Sequence, residues 1–507
     1  MTQDLDAWLA DRGLCIQQRS NRGRYLVTTR ARSPGDLLLE TPPFACVALD
    51  DTPACDTCCS LKDSEAQLRR CTGCKTVRYC DARCQRAAWS SAAHAKECPA
   101  LAHVRASHGV TPPPSLRLAH RVLLRLAAGS SQAAPYDNPD LVHALETHRR
   151  EAGETMLVNA AQATAALLSF AGTQGGSDTA TSPWRIELDA SAVTDTILAL
   201  SVNAHAVCDA ELRPVGRGLY PLVACCNHDC TPTAVLTFRG ALAQLRATRA
   251  LEAGAEVCIS YIDLTATAAE RRAELQEGYH FTCACHACSA AFTRGGCPRD
   301  RQLGGMACAD CGAALPLPPA SPACLVCGSN ASHGAAVSRH AVLTRVKDAL
   351  GQCKRLRAAG LHAAALRSAQ EALACTAAEA PMSALRTRAL DATLHAAVGA
   401  GDWKLALECA RAGVDGMRAA HGDVGTTEGA PASPVLGLHY ATLGRLLWHA
   451  ASSGAEFQES AEAMDTGVRV LSLTHGRDHP VVGQLDQLCR EAAAEGAHRG
   501  RAAELDG

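Results

Sequence analysis

At roughly 150 residues per domain, a chain of 507 residues implies three or four folding units. Hydrophobic residues make up 47% and charged residues 20%, which excludes a disordered or fibrous chain. Lys+Arg 49 against Asp+Glu 51 leaves a net charge of -2, which argues against a strongly basic nucleic-acid binder but leaves room for a local basic patch. Aromatic content of 4% argues against a stacking platform for single strands. No apolar run approaches the ~18 residues of a bilayer span. The acidic opening MTQDLDAWLADRG lacks the basic and apolar regions of a signal peptide. The expected compartment is the cytosol or nucleus.

In chain order, residues 20–50 read as short strands, Tyr25 to Thr28 and Leu37 to Leu39, around the turn Ser33-Pro34-Gly35-Asp36. A cysteine cluster fills 55–98. From 101 to 200 the chain reads helical, with a stripe at Leu116, Leu118, Val122, Leu123 and Leu126. It is broken by Pro112-Pro113-Pro114 and by a Gly/Ser/Thr-rich stretch, 172–182, expected to be a flexible loop. Residues 218–262 return to strands: Ala234 to Phe238 and Leu242 to Thr248 flank the hairpin signal Arg239-Gly240, and Val257 to Tyr261 follows a turn at Gly254. Residues 335–495 are Ala- and Leu-rich, broken at Gly360, Gly399-Ala400-Gly401 and 422–434. Segments Ala363–Ala374 and Trp403–Ala412 suggest paired helices of a tetratricopeptide-like array, with a plain helical bundle as the alternative.

The 27 cysteines carry the chemistry. In a reducing compartment clustered cysteines are metal ligands more often than disulfides. The first cluster pairs Cys55 with Cys58, Cys71 with Cys74, Cys80 with Cys84 and His94 with Cys98, eight ligands for two tetrahedral zinc ions. Two ions would staple a segment too short to bury an adequate core unaided. Cys59 adjoins Cys58 and is an alternative ligand. A second cluster, Cys283, Cys285 and Cys288, needs a fourth ligand, for which Cys230 is the candidate. A third, Cys308-x2-Cys311-x12-Cys324-x2-Cys327, is a self-contained zinc-ribbon pattern, with Cys297 nearby as a substitute.

Three further stretches are weak singly: Gly216-x-Gly218 reads as a turn, Asn227-His228 as a satisfied polar pair, and Tyr261 at a strand end as a core aromatic. The residues alone stop at a zinc-rich protein with a mixed α+β centre. The order of the pieces goes further. Residues 55–98, with Tyr79, Gln85 and Trp89, resemble a MYND zinc finger. Asn21-Arg22-Gly23, the finger, a helical insert, Gly218-Leu219-Tyr220-Pro221, Asn227-His228-x-Cys230, a strand ending in Tyr261, Cys283-x-Cys285-x2-Cys288 and the tail segment 473–480 together resemble the SET-and-MYND protein-lysine methyltransferases.

That resemblance implies an α+β fold: a SET β-core with an inserted finger, a post-SET zinc site, a zinc-ribbon elaboration and a C-terminal α-helical TPR-like domain. The implied segments are 1–50 (N-terminal SET), 51–100 (finger), 101–190 (helical insert), 191–265 (SET core), 266–290 (post-SET), 291–330 (ribbon) and 331–507 (helical tail). It implies interleaved zinc ligation in the finger: Cys55, Cys58, Cys80 and Cys84 on one ion, Cys71, Cys74, His94 and Cys98 on the other. It implies S-adenosylmethionine as cofactor, held by Arg22, Gly23, Asn203, Asn227, His228, Tyr279 and Phe281, with Tyr261 catalytic and Cys230 completing the post-SET zinc site. Implied partners are lysine-bearing proteins, histone or not, and proline-containing peptides at the finger. The chain departs from the family at Arg24-Tyr25, where a small pair is usual, and at Asp229 and Thr233. Arg24-Tyr25 and Asp229 favour the alternative, a catalytically degenerate zinc-binding scaffold.

Overall fold

The computed structural model describes residues 3–20, 22–62, 64–90, 93–129, 134–172, 188–292, 297–305, 307–308, 310–311, 324, 326–329, 335–422 and 431–506. Asn21 and most of the expected loop at 172–182 lie outside them.

The chain opens with α1 (Gln3–Asp11), which buries Leu5 and Leu9 from one face. β1 (Leu14–Arg19) then pairs antiparallel with β2 (Gly23–Thr28). β3 (Leu37–Thr41) and β4 (Ala45–Ala48) follow. The finger contains the small ladder β5 (Arg69–Arg70) and β6 (Arg78–Tyr79), then α2 (Ala82–Ser90) and α3 (Ala93–His108). α3 runs across the boundary expected at residue 100, because it carries finger ligands at its start and packs on the insert at its end. The insert is α4 (Pro114–Ala128), α5 (Pro139–His143), α6 (Glu154–Phe170) and α7 (Ala190–Asn203). Pro114, expected to break the helical stretch, occupies the first turn of α4, where its missing N–H costs nothing.

Next come β7 (Ala204–Cys208), β8 (Pro214–Leu219), β9 (Asn227–His228), β10 (Ala234–Arg239), β11 (Leu242–Ala247) and β12 (Cys258–Ile259). The strands form small sheets in the orders β4-β8-β7 and β10-β11-β3, with a parallel β9-β12 pair beside them. The expected hairpin is present, turning at Gly240 with φ +62°. Gly216-x-Gly218, read as a turn, lies instead in β8, the middle strand of its sheet. A Cβ on Gly216 would stand 2.7 Å from the Val47 carbonyl oxygen, and one on Gly218 would stand 2.8 Å from the Tyr220 ring. The glycines serve close approach rather than chain reversal.

α8 (Ala268–Tyr279), α9 (His286–Ala291) and α10 (Pro298–Gly304) carry the chain to the tail. α10 lies within the expected ribbon segment and packs against the tail. The tail is α11 (Ala335–Ala358), α12 (His362–Cys375), α13 (Ala384–Ala400), α14 (Trp403–His421), α15 (Pro434–Ala450), α16 (Gly454–Thr474) and α17 (Pro480–Asp506). Each tail helix packs on the next.

Two large apolar clusters hold the N-terminal half. One joins the finger to the insert around Leu118, Val122 and Leu167. The other fills the space between the small sheets around Leu26, Leu39 and Leu245. The tail docks on β10 and β11. Thr237 Oγ1 donates to the Thr474 carbonyl (3.2 Å), and Arg239 pairs with Asp478 (2.8 Å).

Gly444 lets α15 and α16 touch: a Cβ there would stand 3.0 Å from Met464 N and 3.2 Å from Ser460 O. Gly444→Val gains a few tenths of a kcal/mol in helix propensity against about 1–3 kcal/mol of overpacking. Denaturant unfolding is expected to show a net loss of about 1–3 kcal/mol in the tail, with bound zinc unchanged.

Candidate active site and metal centres

Sixteen cysteine and histidine side chains fall into four groups of four, each with its ligand atoms within 4.8 Å of one another: Cys55, Cys58, Cys80, Cys84; Cys71, Cys74, His94, Cys98; Cys230, Cys283, Cys285, Cys288; and Cys308, Cys311, Cys324, Cys327. A tetrahedral zinc with bonds of about 2.3 Å sets sulfur–sulfur distances of about 3.8 Å. The Sγ pairs Cys58–Cys80 (3.6 Å), Cys58–Cys84 (4.0 Å), Cys71–Cys98 (3.7 Å), Cys230–Cys288 (3.5 Å), Cys308–Cys327 (3.6 Å) and Cys311–Cys324 (3.6 Å) match that spacing. The finger groups interleave along the chain. Neither Cys59 nor Cys297 belongs to a group among the described residues. Cys59 turns towards β8, where a Cβ on Gly216 would meet its sulfur.

A feature unseen in the sequence supports the finger. His94 Nδ1 lies 3.3 Å from Glu97 Oε2, one turn along α3. A proton held there leaves Nε2, 3.4 Å from Cys71 Sγ, free as a ligand. Glu97 accepts from Arg117 Nε (3.3 Å) and Arg121 Nη2 (2.6 Å) of α4. Asp56, inside the first knuckle, accepts from Arg117 Nη2 (3.0 Å) and also pairs with Arg121. All four charged side chains are buried. The charges offset one another: Coulombic attraction to the two arginines holds Glu97 well below the usual carboxylate range despite its burial, and attraction to Asp56 and Glu97 holds Arg121 up.

The candidate catalytic centre forms where β9 and β12 run parallel, with Ile259 opposite His228. Tyr261 emerges just past the pair. Its backbone N–H donates to His228 Nδ1 (3.1 Å) and its hydroxyl to the Cys226 carbonyl (2.6 Å). Burial pushes the His228 pKa down to about 4, so the ring is neutral at physiological pH. With Nδ1 accepting, the proton sits on Nε2, 3.2 Å from Cys230 Sγ. Burial also raises the Tyr261 phenol, keeping it protonated. Tyr279, the last residue of α8, packs against Tyr261 with the rings tilted by 39° and their centroids 4.8 Å apart, and donates its hydroxyl to the Tyr261 carbonyl (3.2 Å). Phe281 closes the cluster, 6.5 Å from Tyr261 and 6.2 Å from His228. Tyr261 and Tyr279 face a cleft of about 680 Å³ between the strands and the tail, with Asn203 and His205 on one wall and His421 on the other.

The remaining expected residues are spread around this centre. Asn227 Nδ2 donates to Glu256 Oε1 (2.7 Å), whose other oxygen lies 3.3 Å from Arg22 and 3.7 Å from Arg19. Glu256 therefore ties Arg22 to Asn227, a link between residues far apart in the chain. Gly23 adopts φ +67° with open space where a Cβ would stand. Asn203 Nδ2 donates to the carbonyls of Glu146 (2.9 Å) and Ala199 (2.8 Å). The departures have local partners. Arg24 donates to the Ala144 carbonyl (2.7 Å), and the Tyr25 hydroxyl donates to Gln17. Asp229 accepts from the Thr231 N–H (2.7 Å), and Thr233 Oγ1 donates to the Glu256 carbonyl (2.8 Å) and accepts from Cys258 N–H (2.7 Å).

Two outcomes follow for the metal sites. Glu97→Ala leaves two buried guanidiniums short of a counter-charge; unfolding with zinc quantification is expected to show a loss of about 3–5 kcal/mol and release of finger zinc. Under a mild chelator, absorbance of a zinc indicator is expected to report first the group containing Cys311 and Cys327. Both are exposed, whereas the third group and the Cys71 group are wholly buried.

The MYND finger family model matches residues 55–98. Over 294 residues the chain is 33% identical to the histone-lysine N-methyltransferase ASHR1 of Arabidopsis thaliana, covering 56% of this chain and 57% of that protein. It is 31% identical over 276 residues to the histone-lysine N-methyltransferase SMYD3 of Homo sapiens (53% and 60% covered). It is 30% identical over 272 residues to the N-lysine methyltransferase SMYD2-A of Xenopus laevis (53% and 59%). The chain thus spans less than two thirds of the curated relatives it matches. A solved structure described as the SET domain of LSMT bound to lysine and AdoHcy overlaps with a TM-score of 0.31 and 12% identity, covering 98% of this chain and 92% of that one; this overlap is too low to bear on the fold. Residues 55–98 are a MYND finger, set in a chain related over somewhat more than half its length to SMYD-type lysine methyltransferases.

Proposed function

We propose that the chain is an S-adenosylmethionine-dependent protein-lysine N-methyltransferase, with a SET core built from the small sheets and a TPR-like tail forming the far wall of the substrate cleft. The observation that carries this reading is the Tyr261 centre. A phenol held by a backbone carbonyl, ringed by Tyr279, Phe281 and a neutral His228, faces a cleft wide enough for a side chain. The relatives named above as lysine methyltransferases support it.

The residues present fit the cofactor. Gly23 offers bare backbone beside open space, and Glu256 orients Asn227 towards the Arg22 side of the same region. Arg22, Gly23, Asn203, Asn227, His228, Tyr279 and Phe281 would hold it. S-adenosylmethionine, when bound, supplies a sulfonium methyl group for in-line displacement. The chain's own part is then positioning and desolvation. A lysine amine with an ordinary pKa near 10.4 must lose its proton to attack, and enclosure by aromatic rings lowers that pKa. Because the Tyr261 hydroxyl hydrogen goes to Cys226 O, its oxygen lone pairs are left to accept from an amine N–H. The raised phenol pKa makes it an orienting group rather than a base. The ring faces of Tyr279 and Phe281 suit a methylammonium product.

Arg24-Tyr25 and Asp229 favour a degenerate scaffold. Each has a local hydrogen-bonding partner, so these residues do not require a broken pocket. At the finger, half-exposed Trp89 stands edge-on to His94 at 6.0 Å, an aromatic face suited to proline-containing peptides. The thiol-rich groups suit a reducing compartment, cytosol or nucleus.

Methyl transfer from labelled S-adenosylmethionine into lysate proteins is expected for the wild type and to fall about a hundredfold in Tyr261→Phe, with zinc content unchanged. Label in neither, from folded and zinc-loaded protein, overturns the reading in favour of the scaffold.

A further inference from the structure

The cleft in front of Tyr261 adjoins a second cavity of about 810 Å³ in the helical insert, between the α3–α4 link, α6 and α7. Its wall is largely apolar, with Val110, Leu116, Phe170, Ile197 and Leu200. Ser201, Ala204 and Arg217 line both cavities, so the junction between them carries one charge. Of Asp, Glu, Lys and Arg, the described lining residues of the two cavities include Arg217 and Asp263 alone.

Arg217 has no counter-charge of its own. It is half-buried in β8, and its register partners on the flanking strands are Val47 of β4 and Ala206 of β7, neither of which can pair with it. Among the described residues no hydrogen bond or ion pair holds its guanidinium. Asp263 is engaged elsewhere: its Oδ1 accepts from the Thr265 N–H (2.8 Å), and Thr265 in turn meets His421 of the tail. A guanidinium drawn partly out of water without a partner is costly, and its backbone, paired on both sides in the middle strand, gives it no freedom to leave.

We propose that Arg217 is a specificity-determining residue that binds a carboxylate side chain of the substrate protein close to the target lysine, with a neighbouring apolar side chain of that segment seated in the insert cavity. The inference rests on the lysine-methyltransferase reading of the Tyr261 cleft. A planar guanidinium takes a carboxylate through two parallel hydrogen bonds. One such group with no second Lys or Arg beside it matches a single carboxylate, whereas a nucleic-acid backbone calls for several cations along its path.

The test uses the zinc-loaded 507-residue chain and an array of lysine-centred peptides in which one flanking position at a time is Glu, Gln or Arg. Label from S-adenosylmethionine is followed for each peptide, and binding of the same peptides is measured by fluorescence anisotropy, which needs no methyl transfer. At one flanking position Glu is expected to give a KM and a Kd about tenfold lower than Gln, with kcat little changed and the advantage shrinking as salt is added. Arg217→Glu is expected to shift that preference to Arg, and Arg217→Lys to keep a weakened preference for Glu. Should Arg217→Glu fail to fold, Arg217→Gln decides by losing the preference. Label without any preference for Glu, or the same preference in folded Arg217 variants, overturns the proposal and leaves the methyltransferase reading standing. Acidic peptides bound through Arg217 but never labelled keep the site and overturn that reading. Neither binding nor label overturns both.

Discussion

Four buried charges fix how the finger sits on the insert. Arg117 and Arg121, one turn apart on α4, reach into the finger and divide Asp56 and Glu97 between them. Asp56 lies between ligands of one metal group, and Glu97 orients the histidine of the other. Taking such charges out of water costs several kcal/mol each, recovered only when geometry and hydrogen bonds are complete. The network therefore contributes less to net stability than to specificity: α4 has one seating in which no guanidinium is left unpaired. That seating fixes the finger against the strand sheets, because Arg121 also donates to the Cys46 carbonyl (2.7 Å) of β4.

The candidate catalytic centre is braced in a similar way from the other side. His228 links the two halves of the site: one ring nitrogen holds the Tyr261 backbone and the other faces Cys230, a member of the third metal group. The same group anchors the segment that follows Tyr279 and Phe281. Arg271 joins it to α10, lying 3.8 Å from Cys288 Sγ and 3.2 Å from Asp300. An ordinary hydrogen-bonding histidine and a cluster of thiols are thereby made into one rigid support for three aromatic rings. Zinc in that group would act on the site through shape and orientation.

The sequence announced what is local and hid what is not. Ligands two to four residues apart declare themselves, because a knuckle or one helical turn is enough to bring them together. The β10–β11 hairpin did so too, through Arg239-Gly240. Arg117 and Arg121 did not: their partners lie 20 to 65 positions away, and a charge within the stripe of α4 looks like a solvated edge until its burial is seen. Interrupted polarity inside that stripe was the available signal. β7, Ala-His-Ala-Val-Cys, has Val207 as its one β-branched residue and owes its conformation to pairing with β8. Glu256 was visible as an acid before Tyr261, but its role depends on Arg22 and Asn227 meeting in space. The aromatic centre was legible only through the order of motifs, since two-residue strands such as β9 and β12 leave no periodicity to read.

The spread of contacts along the chain has a consequence for how the molecule is made. Every finger ligand lies between residues 55 and 98, yet the finger's buried carboxylates wait for residues 117 and 121. A growing chain can therefore load metal early and lock it only when α4 leaves the ribosome. The aromatic centre must wait for Phe281, and the cleft's far wall for His421. As domains emerge N-terminus first, the finger is finished while the half that carries the aromatic cleft is still being translated. A stalled or truncated chain would then keep a complete finger while lacking a complete cleft.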